Sequence, residues 1–232
     1  MTTERIFITG PEGQLEAELT YPAHASKVSA LLCHPHPLYG GTMHDGVLQT
    51  AGNACLAQNI ATLKFNFRGV GASQGISGRG EFSSTISNET KLSPEVGDVI
   101  AAYEWLTQSE LFSQIWVIGY SFGANMLWQA LPELAHLTKA NIEQNTVPRC
   151  ILIAPPNAAM AFSKQQGLQE GLIEERISIV AGADDDYVDI TALTEHYAVK
   201  TQVIANADHF FSGQHQTLDK AITAALKEQL SH

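Results

Sequence analysis

One serine stands between two glycines at two-residue spacing in "VIGYSFGAN": Gly119, Ser121 and Gly123. Three consecutive aspartates follow at Asp184, Asp185 and Asp186, and a histidine at His209. A serine hydroxyl is a poor nucleophile at neutral pH. It needs a base to take its proton, and the base needs an anion to orient it. Serine, acid and histidine, in that order along a chain, supply those three parts for attack on a carbonyl carbon. The two glycines have their own task, because a sharp turn that lifts a side chain out of the backbone leaves no room for neighbouring Cβ atoms.

Positioning such residues requires elements of a particular kind. Val28 to Cys33 is a short, nearly continuous apolar run, the pattern of a strand buried on both faces. Similar runs recur at Thr62 to Phe67, Ile115 to Ile118, Cys150 to Ala154, Ile177 to Ala181 and Thr201 to Ala205. Helical spacing of apolar residues marks Val47 to Gln58, Val96 to Leu106, Phe122 to Leu131 and Gln214 to Leu230. Buried strands alternating with helices predict a mostly parallel sheet with helices on both faces. Ile6 to Thr9 and Leu15 to Tyr21 flank a turn at Pro11-Glu12-Gly13, and the second alternates Leu15, Ala17, Leu19 against Glu16, Glu18. That is the period of a half-exposed antiparallel edge hairpin. No composition shift marks a second domain, so residues 1–232 are read as one α/β domain.

In such a sheet, ligands bind beyond the carboxyl ends of the strands. "GYSFG", "GADDDYVD" and "NADHFF" each follow a buried run, which sets Ser121, an aspartate and His209 on one rim. A glycine three residues before the acid and an apolar residue three after it select Asp185, between Gly182 and Val188, with Asp184 and Asp186 as alternatives. His209 precedes the last helix, whereas His215 lies in or at the start of it. Asp208 reads as a turn former. "HPHP" follows the first buried run. Two histidines at that spacing, on a proline-locked backbone, are poor metal ligands. Pro35 and Pro37 carry no N–H, which leaves His34, His36 and Leu38 as donors. An oxyanion hole takes one N–H from the residue after the nucleophile, Phe122, and one from this loop, where His36 is best placed. The His34 side chain then pins the loop. Arg68 either binds a substrate carboxylate or forms a buried ion pair that ties down "RGVGAS".

The rest of the chain excludes several classes. Lys and Arg number 13 against 24 Asp and Glu, a net charge of −11, which repels phosphate backbones and anionic lipid surfaces. Neither nucleic acid nor membrane is expected as a partner. The three cysteines, at 33, 55 and 150, form no CxxC pair. With no apolar leader or membrane-length run, they read as reduced thiols of a cytoplasmic protein. Hydrophobic residues make up 44% of the chain, enough for a sizeable core. Gly71 to Ser93, rich in Gly, Ser and Thr, exceeds ordinary loop lengths and reads as a solvated or functional loop.

Taken together, "CHPHPLYGGTMHDGVL", "ATLKFNFRGVGASQG", "GYSFGAN", "ILIAPPNAA", "GADDDYV" and "ADHFFSG" resemble the small bacterial α/β-hydrolase family of predicted serine hydrolases. That family is related to dienelactone hydrolases and dipeptidyl-peptidase-like esterases, and the resemblance spans nearly the whole chain. It implies an eight-stranded, mostly parallel sheet, a Ser-His-Asp triad at Ser121, His209 and Asp185, backbone donors at His36 and Phe122, and no cofactor. There are two departures. Dienelactone hydrolases carry Cys where this chain has Ser121, which argues against that activity. The Gly75 to Ser93 segment is longer than usual, which gives it a part in covering the site or in assembly. The stretch between Ala154 and Arg176 is too short for a large cap domain, so an open site for short acyl groups is expected. The expected activity is hydrolysis of a small ester through an acyl-enzyme. A thioesterase or small peptidase would use the same triad, an idle α/β-hydrolase scaffold would act as a binding module, and a homodimer is compatible with the sequence.

Overall fold

A computed structural model describes residues 1–77, 92–138, 147–160, 162, 175–197 and 199–230. Most of the long Gly75 to Ser93 segment, and residues 163–174 of the stretch expected to lack a cap, lie outside the described residues.

Eight strands form one sheet: β1 (Thr2–Gly10), β2 (Gly13–Tyr21), β3 (Val28–Cys33), β4 (Ala61–Phe65), β5 (Gln114–Tyr120), β6 (Arg149–Ile153), β7 (Ile177–Gly182) and β8 (Lys200–Ile204). Their order is β1-β2-β4-β3-β5-β6-β7-β8. β1 pairs antiparallel with β2, and β2 antiparallel with β4. Every other pairing is parallel. The expected edge hairpin is present. Leu15, Ala17 and Leu19 are buried as the alternation requires. Glu18 is buried as well, held between Lys64 at 3.6 Å and Arg5 at 3.5 Å.

The helices bounded within the described residues are α1 (Gly46–Ala57), α2 (Val96–Gln108), α3 (Phe122–Leu137), α4 (Ile190–Tyr197) and α5 (His215–Leu230). α1 packs with α5, and α2 with α3, so the sheet is covered on both faces. β3, β4, β5, β6 and β7 are buried along nearly their whole lengths, which is why they read as unbroken apolar runs. β8 corrects the sequence reading. It was expected to be another buried strand, but it closes the far edge of the sheet and Val203 is exposed. A five-residue apolar run does not reveal which strand has no outer neighbour. α4 has no counterpart in the sequence reading, because eight residues give too little periodicity to separate a helix from a loop. No helix among the described residues is long and apolar enough to cross a membrane. All three cysteines are buried and unpaired.

Candidate active site

The parallel strands end on one rim. β5 stops at Tyr120, and the next residue, Ser121, takes φ 53 and ψ −118 before α3 begins at Phe122. A non-glycine residue in this region is strained and is held there only by its surroundings. The surroundings are the two glycines. A Cβ on Gly119 would lie 2.6 Å from the Gly123 carbonyl oxygen and 2.7 Å from the Ala124 nitrogen. A Cβ on Gly123 would lie 2.2 Å from the Cys33 carbonyl oxygen and 2.7 Å from that of His34. The turn is therefore wedged against the end of β3, and only hydrogen fits at both positions.

The ends of β7 and β8 lead to the other two candidate residues. Asp185 follows β7 and is buried; Asp184 and Asp186 on either side are exposed. His209 follows β8. Its Nδ1 lies 2.8 Å from Asp185 Oδ2, and its Nε2 lies 2.9 Å from Ser121 Oγ. A carboxylate has no proton to give, so Nδ1 carries the proton and Nε2 offers its lone pair to the serine hydroxyl. The other Asp185 oxygen, Oδ1, accepts from the Tyr187 N–H at 2.9 Å, which fixes the carboxylate plane. Of the three aspartates, Asp185 alone meets the histidine. The cap of α4 falls to Asp189, whose Oδ1 accepts from the Ala192 N–H at 2.9 Å. Asp208 is a turn former: its Oδ1 accepts from the N–H groups of Phe210 at 3.1 Å and Ser212 at 2.9 Å. Those bonds, Ser212's first, hold its carboxyl below the usual range.

The loop after β3 lies beside the elbow. His34 is fully buried. Its Nε2 accepts from the Phe67 N–H at 3.0 Å, which leaves Nδ1 protonated and 2.7 Å from the Pro35 carbonyl oxygen. The ring thus bolts this loop to the end of β4. Burial brings its pKa down to about 4, only partly opposed by the bond to Pro35. His36 caps the short 3₁₀ turn Pro37–Tyr39, its Nδ1 accepting from the Leu38 N–H at 3.1 Å. That bond uses up one of the three donors read from the sequence. Its ring packs 4.7 Å from that of Phe122. Among the described residues, neither the His36 N–H nor the Phe122 N–H donates to a protein acceptor, and both residues line the same cleft as Ser121 and His209.

Arg68 turns away from this chemistry. It is buried, and its Nε and Nη2 reach Asp98 at 3.0 and 2.7 Å while its Nη1 reaches Glu12 at 2.7 Å. Of its two sequence readings, the buried ion pair is the one present.

Three features have no counterpart in the sequence reading. The buried Tyr120 hydroxyl donates to the His209 carbonyl oxygen at 3.0 Å. Tyr187 sets its ring 4.8 Å from the imidazole. Asn157, after β6, exchanges hydrogen bonds with the Asp189 backbone at 2.9 Å each, joining two walls of the cleft. Tyr120 lies inside the glycine–serine motif, but nothing in a linear sequence points it at a residue 89 positions away.

The cleft has a volume of about 340 Å³ and its walls carry Tyr39, Phe122, Met160, Tyr187 and Phe210. Among the described residues no group of His, Cys, Asp and Glu side chains is gathered for a metal ion.

No family model matches the chain. It is 29% identical over 225 residues to an uncharacterized protein of Rickettsia prowazekii, covering 94% of this chain and 86% of that one. The structure of XC6422 from Xanthomonas campestris, an α/β serine hydrolase without lid, is similar at a TM-score of 0.78 and 25% identity, over 98% of this chain and 94% of the other. An α/β serine hydrolase homologue from Coxiella burnetii is 31% identical with a TM-score of 0.76, over 97% and 98% of the two chains. With that identity along almost the full length of both, the chain belongs to the family of α/β serine hydrolases.

Proposed function

We propose that the protein hydrolyses small carboxylic esters, with Ser121 as nucleophile, His209 as general base and acid, and Asp185 as the anion that orients the imidazole. The observation that carries this reading is the continuous hydrogen-bonded line from Ser121 Oγ through His209 to Asp185, at 2.9 and 2.8 Å, on a serine held in a strained turn.

Ser121 Oγ attacks the carbonyl carbon as its proton passes to His209 Nε2. The carbonyl oxygen becomes an oxyanion, met by the N–H groups of His36 and Phe122; each donor of this kind is worth about 10²–10³ in rate. The tetrahedral intermediate collapses. The C–O bond to the alcohol breaks, and His209 gives its proton to the departing oxygen. Water then attacks the acyl-enzyme, losing a proton to His209, and the acid leaves as Ser121 regains its hydrogen. Asp185 stabilises the imidazolium in both halves. An apolar cleft of this size suits a small acyl or aryl group.

The test is labelling with a fluorophosphonate together with p-nitrophenyl acetate turnover. Wild type should take one label per chain and turn over the ester, and Ser121→Ala should do neither. Equal turnover by wild type and Ser121→Ala would overturn the assignment.

A further inference from the structure

Among the described residues, no lysine and no arginine lines the cleft that holds Ser121 and His209. Apart from the imidazoles of His36 and His209 and the hydroxyls of Tyr39, Tyr120 and Tyr187, the ionisable side chain among its described wall residues is Asp45. Arg68, the cation nominated by the sequence, is committed to Asp98 and Glu12. Asp45 caps α1, and a single oxygen, Oδ1, accepts from both Val47 N–H at 2.8 Å and Leu48 N–H at 3.2 Å. Its other oxygen accepts no hydrogen bond from the described residues, and no described cation forms an ion pair with it. The N-terminus of α1 offsets about half a unit charge, which leaves the wall net negative. The other carboxylates near the base of the cleft add to this field. Asp185 bears on His209, and Asp208 on its own loop. After burial itself, the charges of Asp45, Asp185 and Asp208 all push the Tyr120 hydroxyl toward the neutral form, so Asp45 acts across the floor of the site.

We propose that this cleft takes esters whose acyl and alcohol groups bear no negative charge, and that Asp45 is the specificity-determining residue that disfavours carboxylate-bearing substrates. This rests on the ester-hydrolase reading given above. A substrate carboxylate finds no cation among the described wall residues and shares the cleft with Asp45, whose second oxygen accepts from no described donor. At separations of about 8 Å and an effective dielectric between those of a protein surface and water, the repulsion is worth about threefold to thirtyfold in discrimination.

The experiment compares kcat/KM for methyl 4-acetoxybenzoate and for the 4-acetoxybenzoate anion, two esters of similar shape that differ by one charge. Wild type, Asp45→Asn and Glu110→Gln are measured. Asparagine is as good an N-cap as aspartate, so α1 keeps its acceptor, and the melting temperature checks that it does. Glu110 is exposed near the start of β5, at the opposite end of the strands, and removes the same unit of charge from the molecule. The expected result is a neutral-to-anionic preference that shrinks about threefold or more in Asp45→Asn and stays as in wild type in Glu110→Gln. The wild-type preference should also shrink in about 0.5 M salt, where screening acts within a few Å. A preference unchanged in Asp45→Asn, or changed equally in Glu110→Gln, overturns the proposal. A different outcome marks failure of the underlying reading: Ser121→Ala cleaving both esters as fast as wild type, or wild type cleaving neither and taking no fluorophosphonate label.

Discussion

The Tyr120 hydroxyl donates to the backbone carbonyl of His209 across 3.0 Å, tying the residue before Ser121 to the loop that carries His209. One buried hydrogen bond thus links the ends of β5 and β8, strands separated in the sheet by β6 and β7. Tyr120→Phe keeps the ring and removes the bond. It should cost about 1 kcal/mol of stability. It should also lower kcat about tenfold with KM nearly unchanged, because small misplacement of a catalytic group is expensive. A variant with lower stability but wild-type kcat would show that the bond serves the fold alone.

The three aspartates separate by burial. Asp185→Asn leaves the geometry in place but removes the anion that sets the imidazole tautomer, and a loss of about 10⁴ in kcat is expected by analogy with serine proteases. Asp184→Asn and Asp186→Asn alter exposed side chains and should stay within about threefold of wild type, since neither touches the imidazole. Comparable losses at all three positions would remove Asp185 from its role.

Gly123→Ala places a methyl group 2.2 Å from the Cys33 carbonyl oxygen. Backbone has to shift, at a cost of about 1–3 kcal/mol or more, which in a chain of this size is a drop of about 2–12 °C in Tm. The shift separates the His36 loop from Phe122, so kcat should fall about 10²-fold even where the protein remains folded. Calorimetry and steady-state kinetics on the same preparation check both, and a variant matching wild type in Tm and kcat would contradict the close approach.

His34 makes the fold sensitive to acid. Its pKa is about 4 when folded, against 6.5 as the ordinary value. Above about pH 6.5 it is neutral in both states and contributes no pH dependence. Between those values the unfolded chain binds a proton that the folded chain refuses, so stability falls as pH falls. The full loss, about 3 kcal/mol, is reached below the folded value. From about pH 7 to about pH 5 the loss from this group is about 2 kcal/mol. Urea unfolding of wild type and His34→Gln at both pH values should show a steeper decline in wild type by that amount. Parallel declines would mean that His34 is not kept neutral.

Ser121, Asp185 and His209 were legible in the sequence because each follows an apolar run, and the ends of parallel strands share a rim. The spacing Gly182 to Asp185 to Val188 separated the buried aspartate from its exposed neighbours, since a turn of fixed length decides which side chain faces inward. What stayed hidden depends on three-dimensional neighbours. Val203 belongs to an apolar run whether or not another strand flanks it, so the exposure of β8 could not be read. Arg68 left two readings because its partner, Asp98, lies on α2 and meets it only after folding. His34 was read as a pin for its loop, but its anchor, the Phe67 N–H, belongs to the neighbouring strand's end.

The contact between Gly123 and the Cys33 and His34 carbonyls has a consequence for timing. The His36 and Phe122 N–H groups lie on segments that meet backbone to backbone at Gly123, where no side chain acts as a spring. Their relative placement is settled when the protein folds, before any substrate arrives. In the proposed mechanism turnover then needs no hinge motion to assemble these two donors, and the reorganisation that water would undergo around a new negative charge is avoided from the first encounter.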